Sequence, residues 1–335
     1  AFNDRRALDK YLTASAGVWL GRDDDVRMLL PYLLKKLQER GLPRSKATKV
    51  LGRHGDKFVL TKQTLDPENL WFGVDGPLVH LESGKEVPKI VASFDDAAPD
   101  LSKIALINQP EVFWPVLGWF AATPMKTLFE SRGYRFPILN VYGTRGSGKT
   151  SLIREMQRLF GYEVPTAYDC TTTRFVMLGL LGYSNAVPVS FSEFRASVGE
   201  RITRFILLAY DTGHDQRGRG DQTTVDYPLS APFTVDGEDI VSDAACKEGI
   251  IAVNLHPEAI AEGTEAYLAF GHLRAQNLKG FYGLYLRHTL TLDFDDLLKE
   301  ASRQMFEAFP ETLPDRVRNN MIVVRAGQLA FLEHT

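Results

Sequence analysis

The chain has 335 residues, 44% of them apolar and 24% charged, with a net charge of −3. Those values describe a soluble globular protein of one large or two ordinary domains, and they exclude a globally basic nucleic-acid binder, so any polyanion must meet a local patch. The two cysteines, Cys170 and Cys246, are too far apart for a metal-spaced pair and read as buried thiols in a reducing cytoplasm.

The opening AFNDRRALDK has no apolar core of a secretory leader. Residues 23–42, DDDVRMLLPYLLKKLQERGL, set Val26, Leu29, Leu30, Leu33, Leu34 and Leu37 at helical spacing. Asp23 to Asp25 suit the start of that helix and Gly41 its stop. DKFVLTKQTL and PLVHLESGKEVPKIVASF then read as short strands broken by Gly and Pro, so residues 1–95 form a small α/β domain. The run PEVFWPVLGWFAATPMKTLF, 110–129, holds three prolines, a lysine and a glutamate. It reads as a buried helical hairpin, since a spanning helix needs about 20 mostly apolar residues.

From there strands and helices alternate: RFPILNVYG, SLIREMQRLFG, VPTAYDC, TTTRFVMLGLLGYS, AVPVSFSEF, RASVGERITRFILLAYDTG, APFTVDGED and GIIAVNLHP. Alternation of this kind predicts a parallel sheet with helices on both faces. This alternating core, with the helical pair before it, spans 96–290, and a helical C-terminal segment spans 291–335.

Gly143 to Thr150, GTRGSGKT, fits G-x-x-x-x-G-K-T between a strand and a helix. The glycines let backbone N–H groups approach phosphate oxygens, Lys149 brings a charge to the β and γ phosphates, and Thr150 offers a hydroxyl to Mg²⁺. The helix that follows points its positive end at the anion. Gly143, Thr144, Arg145, Gly146, Ser147, Gly148, Lys149, Thr150 and Ser151 are therefore the expected ATP-binding residues.

The third strand ends Ser192-Glu193, where an acidic pair would hold the Mg²⁺ shell and orient a water. Glu193 is the candidate general base, against the alternative of a solvated strand end. Ser192 stands where an aspartate is expected, its hydroxyl still able to bond a metal-bound water. Asp169, ending the second strand, suits a turn or cap as well as an acid. Thr234 and Asp236 end the fourth strand and sense the γ-phosphate if they line the crevice; turn chemistry around Gly237 explains them equally.

Residues 211–228, DTGHDQRGRGDQTTVDYP, form a polar Gly-rich loop with Arg217 and Arg219. Three roles are open: a solvated connector, an arginine reaching a neighbouring subunit's nucleotide, or a contact to a nucleic-acid backbone. HLRAQNLKGFYGLYLRHTL adds Arg274, Lys279 and Arg287 among Phe281, Tyr282 and Tyr285, either a strand-contacting element or a buried aromatic helix.

In order, GRHGDKFVL, VLGWFAATPMKTL, NVYGTRGSGKTSL, VPVSFSEF, GHDQRGRGD, FTVDGED and RNNMIVVRAGQLAF resemble the P-loop helicase domains associated with primases in plasmids, phages and mobile elements. These are AAA+ relatives near the superfamily-three and MCM-like helicases. The resemblance implies an α/β core with sheet order 5-1-4-3-2, ATP and Mg²⁺ as ligands, and a homo-oligomeric ring, often hexameric. It also implies translocation on single-stranded or forked DNA beside a primase or replication initiator, with no membrane partner, and continuation into further helical structure. By position it assigns Lys149 and Thr150 to nucleotide and metal, Glu193 to the base, Thr234 to the sensor position, and Arg217 and Arg219 to the basic loop. Ser192 departs from the pattern. The competing readings are an AAA+ protein-remodelling ATPase or nucleotide switch and, disfavoured by the separate N-terminal domain and the lack of an Arg-rich lid, a small-molecule kinase.

Overall fold

A computed structural model describes residues 23–40, 46–73, 75–81, 87–94, 98–198, 200–211, 213–218, 224–244, 246–309 and 313–335. The chain divides between Ser45 and Lys46 into two compact units. In the first, helix α1 (Asp23–Glu39) forms where the apolar spacing predicts it, with Pro31 inside it and Met28, Tyr32 and Leu33 exposed.

The second unit begins with β1 (Lys46–Thr48), which pairs in parallel with β6 (Leu78–His80). Between them β2 (Gly52–His54), β3 (Lys57–Val59), β4 (Gln63–Leu65) and β5 (Leu70–Phe72) make an antiparallel meander. Two side-chain amides extend its ladders. Asn185 accepts from Arg53 N and donates to Arg53 O, both at 2.9 Å. Gln63 does the same for Ala92, both at 2.8 Å. A primary amide carries a donor and an acceptor on one edge, as a peptide does, and so satisfies backbone groups that a short strand leaves open.

The main sheet contains β7 (Ile138–Gly143), β8 (Tyr168–Asp169), β9 (Val189–Phe194), β12 (Phe233–Gly237) and β13 (Ile250–Leu255). Its order is β13-β7-β12-β9-β8, with every pairing parallel. This is the expected 5-1-4-3-2 arrangement of a P-loop NTPase core. Helices α4 (Lys149–Leu159), α5 (Arg174–Leu181) and α6 (Glu200–Asp211) cross between strands. Thr173 caps α5 by accepting from Val176 N, as the threonine run predicts.

Two expectations are corrected. The apolar run at 110–129 is not a helical hairpin: α2 (Pro110–Ala122) passes through a 3-10 turn at Thr123–Met125 into the short α3 (Lys126–Ser131). The partner of α2 is instead the last helix, α10 (Asp315–His334), and Trp119 donates its indole N–H to Pro137 O at 2.7 Å. The Gly-rich segment before β12 is not an open loop. It folds back as β10 (His214–Gly218) and β11 (Thr224–Pro228), antiparallel over five residue pairs.

The remaining helices are α7 (Glu265–Ala275), α8 (Lys279–Thr291) and α9 (Phe294–Ala308). Phe281, Tyr282 and Tyr285 of α8 are buried around Phe160 at the end of α4, with ring centroids 5.8–6.3 Å from it. The aromatics of α8 are thus core, each burial contributing about 1.5–3 kcal/mol, and they fix the helix that carries the phosphate loop. Among the described residues no helix is long and apolar enough to cross a membrane.

Candidate active site

β7 delivers the chain into the loop at Gly143, and α4 begins at Lys149. Gly146 and Gly148 hold φ at 82° and 85°, where a β-carbon costs about 1–2 kcal/mol. At Gly143 a β-carbon would lie 2.3 Å from Leu255 O, and at Gly148 2.3 Å from Ile260 Cδ1. The motif's glycines therefore answer both to backbone conformation and to the approach of β13 and the turn after it.

Ser147 is buried, Lys149 half-buried, and Thr144, Arg145, Gly146, Thr150 and Ser151 are exposed. The Lys149 ammonium donates to Gly143 O at 2.7 Å, Thr144 O at 2.9 Å and Ser147 Oγ at 3.4 Å. All three acceptors lie within the loop, at whose end α4 begins. This donor set, an ammonium beside a helix N-terminus in a glycine-bearing loop, fits a nucleotide polyphosphate. Thr150 is exposed in the first turn of α4. Among the described residues no three His, Cys, Asp or Glu side chains gather as a metal site. A cation here would thus depend on phosphate oxygens and water with one or two protein groups, the usual habit of Mg²⁺.

Across the sheet β9 is bulged. Phe191 pairs with Val235 and Phe194 with Gly237, so Ser192 and Glu193 together oppose the single residue Asp236. Glu193 takes φ 61°, the positive value seen for a non-glycine among the described residues. Gly237 permits the bulge, since a β-carbon there would meet Phe194 O at 2.1 Å. Bulges commonly re-aim side chains beside active sites. Here the bulge leaves Glu193 exposed and Ser192 half-buried at the C-terminal edge of the sheet.

Asp236 is 3% exposed and its partner on β7 is Val141, two residues before the loop. Burial pushes its carboxyl up to about 7; Lys149 and Arg154 pull it down and Glu193 pushes it up. The sequence weighed Asp236 beside Thr234 without giving it a separate role. Its isolation becomes visible only with the bulge. Thr234 lies deeper, fully buried opposite Leu139 and Ser190, and its Oγ1 has no hydrogen-bond partner among the described residues. It is therefore not at the strand end where a sensor was expected, because β12 runs on to Gly237.

Asp169 serves a turn, accepting from the N–H and hydroxyl of Thr171, and the hydroxyl bond holds its carboxyl below the usual range. The buried Cys170 thiol is pushed up to about 12 by burial, then by Asp236, Asp169 and Glu193. Cys246 is also buried and free.

The hairpin is tied to the core by Arg174 at the start of α5. Its Nε and Nη2 donate to the Asp215 carboxylate at 3.0 Å and 2.6 Å, with Asp215 5% exposed. Arg217 stands opposite Val225 in the backbone ladder. Its side chain, and Arg219 altogether, lie outside the described residues. Arg274, Lys279 and Arg287 are exposed, Arg274 3.6 Å from Glu155 and Arg287 over the ring of Phe94.

No family model matches the chain, and no curated protein matches it in sequence. Among solved structures, it superposes on the SCCmec type IV Cch protein, described as an active helicase, with a TM-score of 0.62 at 11% identity. That match covers 93% of this chain and 60% of the Cch chain, so the present chain spans about three fifths of it. At this identity the likeness is one of fold. Looser likenesses, which bear no weight, are to the NrS-1 C-terminal region (TM-score 0.37, 10% identity, 88% of this chain and 85% of that one) and to the JCV helicase (TM-score 0.31, 15% identity, 58% and 60%).

Proposed function

We propose that the chain is an ATP-hydrolysing motor that moves on single-stranded or forked DNA. The observation that carries this reading is the phosphate loop at the C-terminal edge of a 5-1-4-3-2 sheet, facing Glu193 on a bulge across β12. The fold shared with a helicase over nearly the whole chain supports it. Residues 96–290 are the ATPase core in this proposal, with 1–95 and 291–335 as its flanking segments.

Each residue then has a task. Lys149 exchanges the loop carbonyls for β- and γ-phosphate oxygens, and the N–H groups around Gly146 to Thr150 bind the remainder. Bound Mg²⁺ would supply positive charge to the β and γ oxygens, held on the protein side by Thr150, with Ser192 bonding its water. Glu193 accepts the proton of the attacking water. Thr234 lies deeper than Asp236 on the same face of the sheet. The paired strands β10 and β11, anchored through Arg174, carry Arg217 to the DNA backbone, and Arg219 is the second arginine assigned to that contact. The same chain closes into a homo-oligomeric ring, a hexamer in our reading, working with a primase or initiator in mobile-element replication.

The test is ATP-dependent separation of a fluorescently labelled forked duplex by the purified chain, with a Lys149→Ala control. Unwinding by the wild type alone supports the motor. ATP turnover without unwinding or any response to DNA would favour the protein-remodelling alternative.

A further inference from the structure

Ser192 leaves the metal side of the site short of a carboxylate, and the bulge shows where another stands. Regular alternation along β9 and β12 puts Ser190, Thr234 and Asp236 on one face of the sheet. That face lies under α4, because Gln157 of α4 donates to Ser190 Oγ at 2.9 Å. Asp236 is the residue of this row nearest the loop, paired with Val141 and facing the gap opened by Ser192 and Glu193. Its side chain is 3% exposed, feels the charges of Lys149, Arg154 and Glu193, and accepts no hydrogen bond among the described residues. A buried carboxylate without hydrogen bonds is costly and is retained where a cation or donor completes it. β12 lies between β7 and β9, so this carboxylate is one strand closer to Thr150 than an acid at position 192 would be.

Resting on the nucleotide-site reading above, we propose that Asp236 supplies the carboxylate that orders the Mg²⁺ water shell beside Thr150, in place of the acid that Ser192 lacks. Glu193 is then free of metal duty and its strained backbone serves only to aim it at water. Ser192, opposite Asp236, bonds the same shell as a neutral group, so the site avoids a third negative charge next to two.

The experiment is equilibrium binding of a fluorescent non-hydrolysable ATP analogue, in EDTA and over a Mg²⁺ series. In the wild type Mg²⁺ tightens binding. Asp236→Asn should bind the analogue in EDTA at least as well as wild type and lose roughly tenfold or more of the Mg²⁺ enhancement. Adding Ser192→Asp to Asp236→Asn should restore most of it, while Ser192→Asp alone should add little, the seat being filled. Undiminished enhancement in a folded Asp236→Asn overturns the proposal. So does a tenfold gain from Ser192→Asp alone, a result that does not depend on the Asp236 variant folding. A wild type that binds no analogue under any condition instead overturns the nucleotide-site reading, and the Asp236 role with it.

Discussion

The ammonium of Lys149 donates to the carbonyl of Gly143, 2.7 Å away. The residue that would grip phosphate thus holds the entrance of its own loop, and binding an anion means exchanging one set of oxygens for another. Lys149→Ala removes the ammonium and its three bonds within the loop and should lower ATP turnover by at least about a hundredfold, as loss of a charged transition-state donor does. Lys149→Arg should not rescue it, because a planar guanidinium does not fit a seat built for three converging bonds. Steady-state phosphate release measures both.

Glu193 carries two opposed effects. Glu193→Gln keeps the shape and loses the base, so nucleotide should bind while turnover falls about 10²- to 10⁴-fold. Glu193→Gly also removes the base but suits φ 61°. Relief of left-handed strain, about 1–2 kcal/mol, exceeds the entropic cost of glycine. The thermal midpoint of this variant should rise while activity disappears. A fall in midpoint means the bulge is held by the Glu193 side chain.

Gly237 holds the other half of the bulge. Gly237→Ala sets a β-carbon against Phe194 O, at 2.1 Å in the present geometry, between two backbones that cannot both retreat. The expected loss is roughly 2–4 kcal/mol, from the class of core overpacking, read as a shift of the urea midpoint.

The C-terminal helix brings an acid sensitivity. His334 packs 5.4 Å from the ring of His288 and 5.5 Å from that of Tyr285. Burial, then His288 and Arg287, lowers its pKa to about 4; burial also lowers that of His288. A histidine whose folded value lies below its unfolded one takes up protons on unfolding, so its stabilisation is complete above the unfolded value and is lost as pH falls toward the folded one. The thermal midpoint should drop between about pH 6.5 and 4, and His334→Phe should flatten that slope. An unchanged slope in the variant contradicts the assignment.

Arg217→Ala and Arg219→Ala should each weaken single-stranded DNA binding roughly uniformly across sequences and reduce its salt slope by about one, with basal turnover kept. Loss of basal turnover, restored by mixing with a Lys149→Ala chain whose arginines are intact, would place an arginine in a neighbour's site instead.

Helices and most strands were legible because burial in this fold leaves strong periodic traces. VSFSEF and FTVDG alternate buried apolar residues, Val189 and Phe191 in one and Phe233 and Val235 in the other, and Thr173 announces the start of α5. The hairpin was not legible. HDQRG has no apolar residue to alternate, TVDYP offers only Val225 and Tyr227, and the Arg174–Asp215 ion pair that ties the hairpin to α5 joins residues 41 apart in sequence. The bulge was hidden for a related reason: a strand's sequence does not reveal that two of its residues face one of a neighbour's. The Gly after Asp236 was the available signal, read as turn chemistry. Thr234 lies second in β12, deeper than the polar end at which the run APFTVDGED set it. Ile260, whose side chain closes over Gly148, sits in a turn with no motif to mark it.

The account stands most directly on ATP turnover by the purified chain, measured with and without single-stranded DNA, beside Lys149→Ala and Glu193→Gln. It predicts measurable hydrolysis that DNA stimulates several-fold and that both variants abolish. Turnover that persists at the wild-type rate in either variant, or that DNA leaves unchanged, would contradict it.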